Sequence, residues 1–347
     1  MSEDLKGINR ESITRWFINN VPVCEPPFRF ELIAAGASNL TFRVTDQKGS
    51  TWALRRPPMG GRIATAHDMA REWRIMSALG SVDCGVPVPK MIALCEDEVV
   101  NQAPFYVMEF VEGMILRHAE HCIGMTPDQC LSATESLIDV QIAMHKLDLD
   151  ATGLADLGKH GGYVERQLKR WKKQVDLGSV RKLPLIDLLH ARLLKNIPEE
   201  NNGVALAHGD FRFDNTIIGP DYKLIAVLDW ELCTLGDPIA DFCWSMMYWA
   251  NPEDRVTFYQ RPPTLFENFI RRDEMVRMYE QRSGFDVNNL DYYITFSWWK
   301  MACIVEGVYA RMLKGGRGGL KTNSVEEIET RVGDLLSMAE ESSARIK

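Results

Sequence analysis

Asp210, Asn215 and Asp229 are side chains whose types and spacing could do chemistry. They fall in residues 204–241, VALAHGDFRFDNTIIGPDYKLIAVLDWELCTLGDPIAD. Two short apolar runs, residues 204–207 and 224–228, each end in a polar cluster: His208-Gly209-Asp210 and Asp229-Trp230-Glu231. Strands that deliver acidic residues at their ends build a site on a rigid frame. Asn215 stands five residues after Asp210. A carboxylate, an amide and a second carboxylate in this order suit phosphoryl transfer. Asp210 takes the proton of an attacking hydroxyl, while the amide oxygen of Asn215 and the carboxylate of Asp229 hold Mg²⁺ on the phosphates. Arg212 can set a cation beside the moving phosphoryl group. His208, Asp237 and Asp241 read as supports of the same turn, carrying no proton themselves.

The string H-G-D-x-x-x-x-N, D-W-E, G-D-P-x-x-D resembles the aminoglycoside phosphotransferase family, small-molecule kinases related to protein kinases. Protein kinases have H-R-D and D-F-G at the corresponding places. HGDFRFDN and AVLDWELCTLGDP are similar to the kinase-like region at the N-terminus of some long acyl-CoA dehydrogenases, and to bacterial stand-alone homologues. The resemblance covers most of the chain. It implies an α+β, protein-kinase-like bilobal fold, with an antiparallel sheet plus helix in the N-lobe and a larger, mainly helical C-lobe. It also implies ATP and Mg²⁺ as cofactors.

The totals agree with an ordinary globular chain. There are 347 residues, 46% hydrophobic and 25% charged, enough for two domains or one large bilobal one. The net charge of −8 disfavours a nucleic-acid binder. No apolar run is long enough to span a membrane, and the polar start MSEDLKGINR lacks the apolar stretch of a signal peptide. Eight cysteines without a Cys-x-x-Cys pair suit a reducing cytoplasm. His118-x-x-His121-Cys122 has no second ligand cluster at zinc spacing, so a zinc site is rejected.

The elements that must position the site come in chain order. Residues 1–27 read as a helical lead-in stopped by Pro22, Pro26 and Pro27. Strands are expected over 28–35, 40–45 and 51–56. The turn Gly36-Ala37-Ser38-Asn39 between the first two folds over the nucleotide phosphates, where Gly36, Ser38 and Asn39 offer small or donating groups. On the third strand, Arg55 occupies the place where the resemblance implies a lysine. Arginine keeps the charge but changes its geometry. A helix follows, with Thr65 as a cap and Met69, Trp73, Met76 and Leu79 on its apolar face. Glu72 borders that face and needs a cation, for which Arg55 is the natural partner. Arg71 and Arg74 read as solvated. Strands over 91–95 and 105–110 lead to a link between lobes, where Glu109 and Val111 offer backbone groups to an adenine edge.

Beyond Gly113 the pattern is mainly helical. Thr126-Pro127-Asp128-Gln129 is a capping box opening a helix to about His145. A second helix, 163–176, carries Arg166, Lys169, Arg170, Lys172 and Lys173 away from its apolar stripe, with Arg181 and Lys182 downstream. A further helix over 185–197 opens at Pro184. The basic face is either solvated or an attraction for an anionic acceptor, with Lys169 and Arg170 as contacts. Residues 242–249 read as an aromatic core helix, and 250–270 as a loop. A helix over 292–313 brings Trp299, Glu306 and Tyr309 as acceptor contacts, together with Glu231. Gly315–Gly319 is a flexible break before a final helix.

These readings assign residues 1–111 to a nucleotide-binding lobe and 112–347 to a catalytic and acceptor-binding lobe. The expected activity is transfer of the γ-phosphoryl group of ATP to a hydroxyl of a small molecule, a hydroxy acid or acyl derivative. An inactive nucleotide-binding module and an aminoglycoside kinase are the alternatives. A protein kinase is disfavoured, because H-R-D, D-F-G and A-P-E are all absent. Oligomeric state has no signature here.

Overall fold

The computed structural model describes residues 5–35, 39–59, 68–255, 257, 261–315 and 324–346. Gly36, Ser38 and Thr65, and most of the expected Gly-rich break, lie outside the described residues. Five strands form one antiparallel sheet: β1 (Arg29–Ala35), β2 (Leu40–Thr45), β3 (Thr51–Arg56), β4 (Met91–Cys95) and β5 (Phe105–Glu109), in the order β1-β2-β3-β5-β4. Side chains alternate faces along a strand, and the two faces bury different things. Phe42, Val44, Trp52, Leu54, Phe105 and Val107 pack against Ile13 and Phe17 of α1 (Arg10–Asn20). Ala53, Tyr106 and Met108 join Ile75, Met76 and Leu79 of α2 (Met69–Gly80) in a separate cluster. Parity therefore separates the two arginines of β3. Arg55 falls with Ala53 and turns towards α2, whereas Arg56 turns the other way and donates to the carbonyls of Gly7 (2.6 Å) and Asn101 (3.1 Å). Asp68, in place of Thr65, caps α2, accepting from the N–H of Arg71 at 2.9 Å. A short α3 (Glu98–Asn101) joins β4 to β5.

The remainder is mainly helical. α4 (Pro127–His145) opens with the expected Thr126/Gln129 box. α5 (Tyr163–Gly178) runs two residues past its expected end, and α6 (Pro184–Lys195) begins at Pro184 itself. Two small antiparallel ladders follow. β6 (Ala205–Ala207) pairs with β9 (Thr234–Gly236), and β7 (Thr216–Ile218) pairs with β8 (Leu224–Val227). α7 (Pro238–Met246), α8 (Arg272–Ser283), α9 (Leu290–Leu313) and α10 (Val325–Ser343) complete the chain. β9 and α8 were not legible in the pattern. β9 has three residues, and α8 buries only Met275, Tyr279 and Ser283, a single thin stripe. His118 and His121 form a reciprocal cap on a 3₁₀ turn, with His121 Nδ1 accepting from the His118 N–H at 3.0 Å. No described helix is long and apolar enough to cross a membrane.

Candidate active site

The turn after β6 is built by a close approach and a buried carboxylate. Gly209 has φ +82°, and a Cβ there would sit 2.9 Å from the carbonyl oxygen of Leu232. Glycine accepts that conformation and leaves that space. Asp241, from the first turn of α7, then pins the strand end. Its Oδ1 accepts from the Gly209 N–H at 2.8 Å and its Oδ2 from the His208 N–H at 3.2 Å. His145 Nε2 lies 3.1 Å from the same Oδ2, and its Nδ1 lies 2.7 Å from the Tyr279 hydroxyl. Burial works against the Asp241 charge, but His145 and the Gly209 N–H outweigh it and hold the carboxyl below its usual range. His208 Nε2 lies 3.0 Å from the carbonyl of Leu228, and its Nδ1 lies 3.3 Å from the Asp210 amide nitrogen. With the proton on Nε2, His208 donates to the first and accepts from the second, joining the two acidic turns. Asp237 caps α7 through the N–H groups of Ile239 (2.8 Å) and Ala240 (3.0 Å), and accepts from the Tyr293 hydroxyl at 2.7 Å. Burial raises its pKa, offset in part by these donors.

Asp210 is consequently presented with both oxygens occupied. Oδ1 accepts from the Tyr248 hydroxyl at 2.8 Å, and Oδ2 from Asn215 Nδ2 at 2.9 Å. Arg212 Nη2 lies 3.3 Å from Oδ2 and 3.5 Å from Asp214 Oδ2. The guanidinium lies over the Tyr248 ring, 4.6 Å from its centre. Burial pushes the Asp210 carboxyl up, while Arg212 and the Tyr248 hydroxyl pull it back. Tyr248 was not singled out in the sequence. Its signal, a hydroxyl four residues after Trp244 in an otherwise apolar helix, is weak on its own. Asn215 spends its NH₂ on the carbonyl and carboxylate of Asp210. Its amide oxygen is therefore what it can offer elsewhere.

Asp229 takes φ +67°, a left-handed conformation uncommon for a non-glycine residue and often found at functional turns. Arg55 Nη2 donates to its Oδ1, while Arg55 Nε lies 3.3 Å from Glu72 Oε2. The expected Arg55–Glu72 pair is thus a three-membered cluster that includes Asp229. Tyr106 donates to Glu72 at 2.9 Å, and Asn39 Nδ2 lies 3.4 Å from Glu72 and 3.2 Å from Glu231. Burial raises the pKa of Glu72, with Arg55 opposing it. Burial opposes the charge on Arg55, but Tyr106, Glu72 and Asp229 together outweigh it. Arg71 is not simply solvated: it donates to the Cys233 carbonyl, tying α2 to the loop after Asp229.

Beside this cluster lies a cleft of about 290 Å³ lined by Ile33, Ala53, Met108, Ile217 and Leu228, and by the link residues 109–113. Glu109 and Val111 are both in its wall. Gly113 is demanded by packing: a Cβ would stand 2.4 Å from Ile217 Cγ2 and 2.6 Å from the Ile218 carbonyl oxygen. The link is held there by paired hydrogen bonds between Met114 and Ile218, at 2.9 and 2.8 Å.

The residues read as acceptor contacts do not gather in one place. Lys169 pairs with Glu165 at 2.6 Å on the surface, and Lys172 pairs with Asp176 and with Asp187. Arg166 donates to loop carbonyls. Arg170 lies over Trp171, 5.5 Å from its ring centre. Trp299 is fully buried and donates to the Ile186 carbonyl at 3.0 Å. Glu306 is equally buried, bonded to Ser179 at 2.7 Å and to Arg181 at 2.9 Å, and Arg181 stacks over Tyr309. Glu231 meets Asn39, on the Arg55 side of the site. The basic run is largely neutralised within its own neighbourhood.

The donor set of the acidic turns suits a hard cation. Asn215 and Asp229 supply an amide and a carboxylate oxygen, and Mg²⁺ takes few protein oxygens beside substrate phosphates. Arg55 holds Oδ1 of Asp229, which leaves Oδ2. Among the described residues, no group of three His, Cys, Asp or Glu could by itself hold a metal ion, so a cation here would draw on the amide and the nucleotide as well.

Comparison with known proteins adds three findings. The family model described as "Phosphotransferase enzyme family" (APH) matches residues 29–285. Acyl-CoA dehydrogenase family member 11 of Rattus norvegicus is 34% identical over 304 residues, which is 85% of this chain and 38% of that protein. The chain spans under two fifths of the length of the curated relatives it matches. Among solved structures, a Ralstonia eutropha protein provisionally described as an aminoglycoside phosphotransferase is 32% identical with a TM-score of 0.82, over 97% of this chain and 98% of that one. Aminoglycoside phosphotransferase APH(4)-Ia, solved with ADP and hygromycin B, shares the fold at TM-score 0.62 and 12% identity, over 98% and 99% of the two chains.

Proposed function

We propose, for a chain that belongs to the phosphotransferase enzyme family, that it moves the γ-phosphoryl group of ATP to a hydroxyl of a small molecule bearing a carboxylate or acyl group. Residues 1–111 would serve the nucleotide and 112–347 the acceptor. The observation that carries the reading is the setting of Asp210: a carboxylate held by Tyr248, Asn215 and Arg212, with Asp229 on the adjoining turn. Asp210 accepts the proton of the acceptor hydroxyl as its oxygen bonds to the γ-phosphorus and the bond to ADP breaks. Asn215 and Asp229 would hold Mg²⁺, which neutralises phosphate charge when bound. Arg55, with Glu72, carries the charge that orients the phosphates. The cleft beside residues 109–113 takes the adenine. Arg212 stabilises charge at the transferring group, its own charge shared with Asp210 and Asp214.

The acceptor class is supported by the local field. Arg170 and its neighbours form a basic stretch in a chain of net charge −8, and such a field steers anions. A coupled ADP-release screen tests the reading. Magnesium-dependent turnover is expected with hydroxy acids and little with aminoglycosides. Efficient aminoglycoside turnover would overturn the acceptor class, and no turnover with any alcohol would overturn the activity.

A further inference from the structure

Lys300 is a buried cation that the proposed reaction does not use. It sits on α9 with 8% of its surface exposed, and its Nζ lies 3.8 Å from the centre of the Trp244 ring on α7. Among the described residues no carboxylate lies within ion-pair distance of Nζ, and no acceptor lies within hydrogen-bond distance. The same helix does pair its other buried charge: Glu306 meets Arg181 at 2.9 Å. A buried ammonium without a counter-charge is costly. Burial holds the Lys300 pKa down to about 8, with Asp241 and Asp210 pulling upward and Arg170 pushing down.

Two more donors nearby lack acceptors. The indole N–H of Trp244 is buried without a partner, and so is the hydroxyl of Ser297. Buried indole N–H groups usually find one. Ser297 precedes Lys300 by three residues on α9, which sets the two side chains on one face. The Trp244 ring packs edge-on against Tyr248, 6.4 Å between centres, and Tyr248 is bonded to Asp210. The group of unsatisfied donors is therefore one aromatic ring removed from Asp210.

We propose that Lys300, with the Trp244 N–H and the Ser297 hydroxyl, holds the carboxylate of the acceptor whose hydroxyl is presented to Asp210. This rests on the phosphotransferase reading and names how that site selects its acceptor. An anion supplies what all three donors lack, and the flat face of Trp244 gives the adjoining carbon chain an apolar wall.

The test uses the full chain, titrated with straight-chain carboxylates from acetate to hexanoate, 3-hydroxybutyrate and the neutral 3-hydroxybutyramide, followed by tryptophan fluorescence and calorimetry. Carboxylates are expected to bind and the amide not to. Lys300→Met should weaken carboxylate binding about 10- to 100-fold, and Lys300→Arg should restore part of it. Circular dichroism checks that both variants are folded. Unchanged affinity in folded Lys300→Met, equal binding of acid and amide, or no carboxylate binding to the unaltered protein would each overturn the anchor. The two readings fail separately. Lys300-dependent binding without ADP release from any alcohol removes the phosphotransferase. ADP release with an acceptor KM indifferent to Lys300→Met removes the anchor alone.

Discussion

Arg55 and Arg212 each hold a carboxylate of the same site, and they do so with different reach. Arg55 leaves the middle of a sheet and touches Glu72 on α2 and Asp229 beyond β8, so one guanidinium joins three separate parts of the chain. Arg212 serves its own loop: Asp210 two residues before it and Asp214 two residues after. Tyr248 supplies the long-range contact there, under the guanidinium and bonded to Asp210. The Arg55 cluster thus couples charge to architecture. The Arg212 cluster tunes one carboxylate. The lesson is that two similar ion pairs should fail differently when broken.

The largest expected effect separates the two carboxylates themselves. Asp210→Asn should lower kcat by about 10²–10⁴ with nucleotide affinity kept, since only the proton acceptor is lost. Steady-state ADP release and a nucleotide titration check it, and undiminished turnover would remove Asp210 from the chemistry. Asp229→Ala should instead abolish magnesium-dependent nucleotide binding, because a hard cation needs the carboxylate oxygen. Calorimetry giving an unchanged Mg·ATP affinity would contradict that role.

The arginines come next. Arg55→Met leaves Glu72 buried without its cation, an effect of about 3–5 kcal/mol on stability. Urea unfolding should detect it, with nucleotide affinity falling as well. Arg212→Met is expected to cost less stability and to act mainly on kcat. Equal stability losses in the two variants would erase the distinction drawn here.

A smaller effect is expected from Tyr248→Phe, about 3- to 10-fold in kcat/KM for one lost hydrogen bond. Its pH dependence is the sharper readout. Asp210 must be ionised to accept a proton, and its pKa is raised by burial, so activity falls as pH drops through that raised value. The Tyr248 hydroxyl lowers the pKa, so its removal should move the acid limb to higher pH. A limb that stays in place would exclude Tyr248 as a tuning group. The smallest effect belongs to Lys169→Gln, under about two-fold in kcat/KM, since an exposed pair with Glu165 contributes little. A larger change at low salt would return Lys169 to the acceptor side.

Much of the site was legible because its signals are local. Asp210, Asn215 and Asp229 lie within twenty residues of each other, and strand ends and turns set their separation without help from distant parts of the chain. Gly209 and Gly113 mark close approaches, and the Thr126/Gln129 box and Pro184 mark helix starts. The need of Glu72 for a cation followed from helical spacing alone. The acceptor-side readings were less legible. Charge along α5 looked like a field in one dimension, but its lysines are met by acids one turn away or on α6. Glu306 looked like a lining residue, but Arg181 reaches it across 125 positions.

The sequence by itself determined the family, the two-part α+β architecture and the string of chemical groups along 208–241, because each of these rests on residue type and short spacing. Tertiary structure alone decided which groups share an environment. It turned Arg55 and not Arg56 towards α2 through the parity of β3. It brought Tyr248 to Asp210, His145 to Asp241 and Arg55 to Asp229. It also left Lys300 over Trp244 with no counter-ion among the described residues. Burial and long-range pairing set the free energy of a charge, and both depend on how helices and sheet pack together.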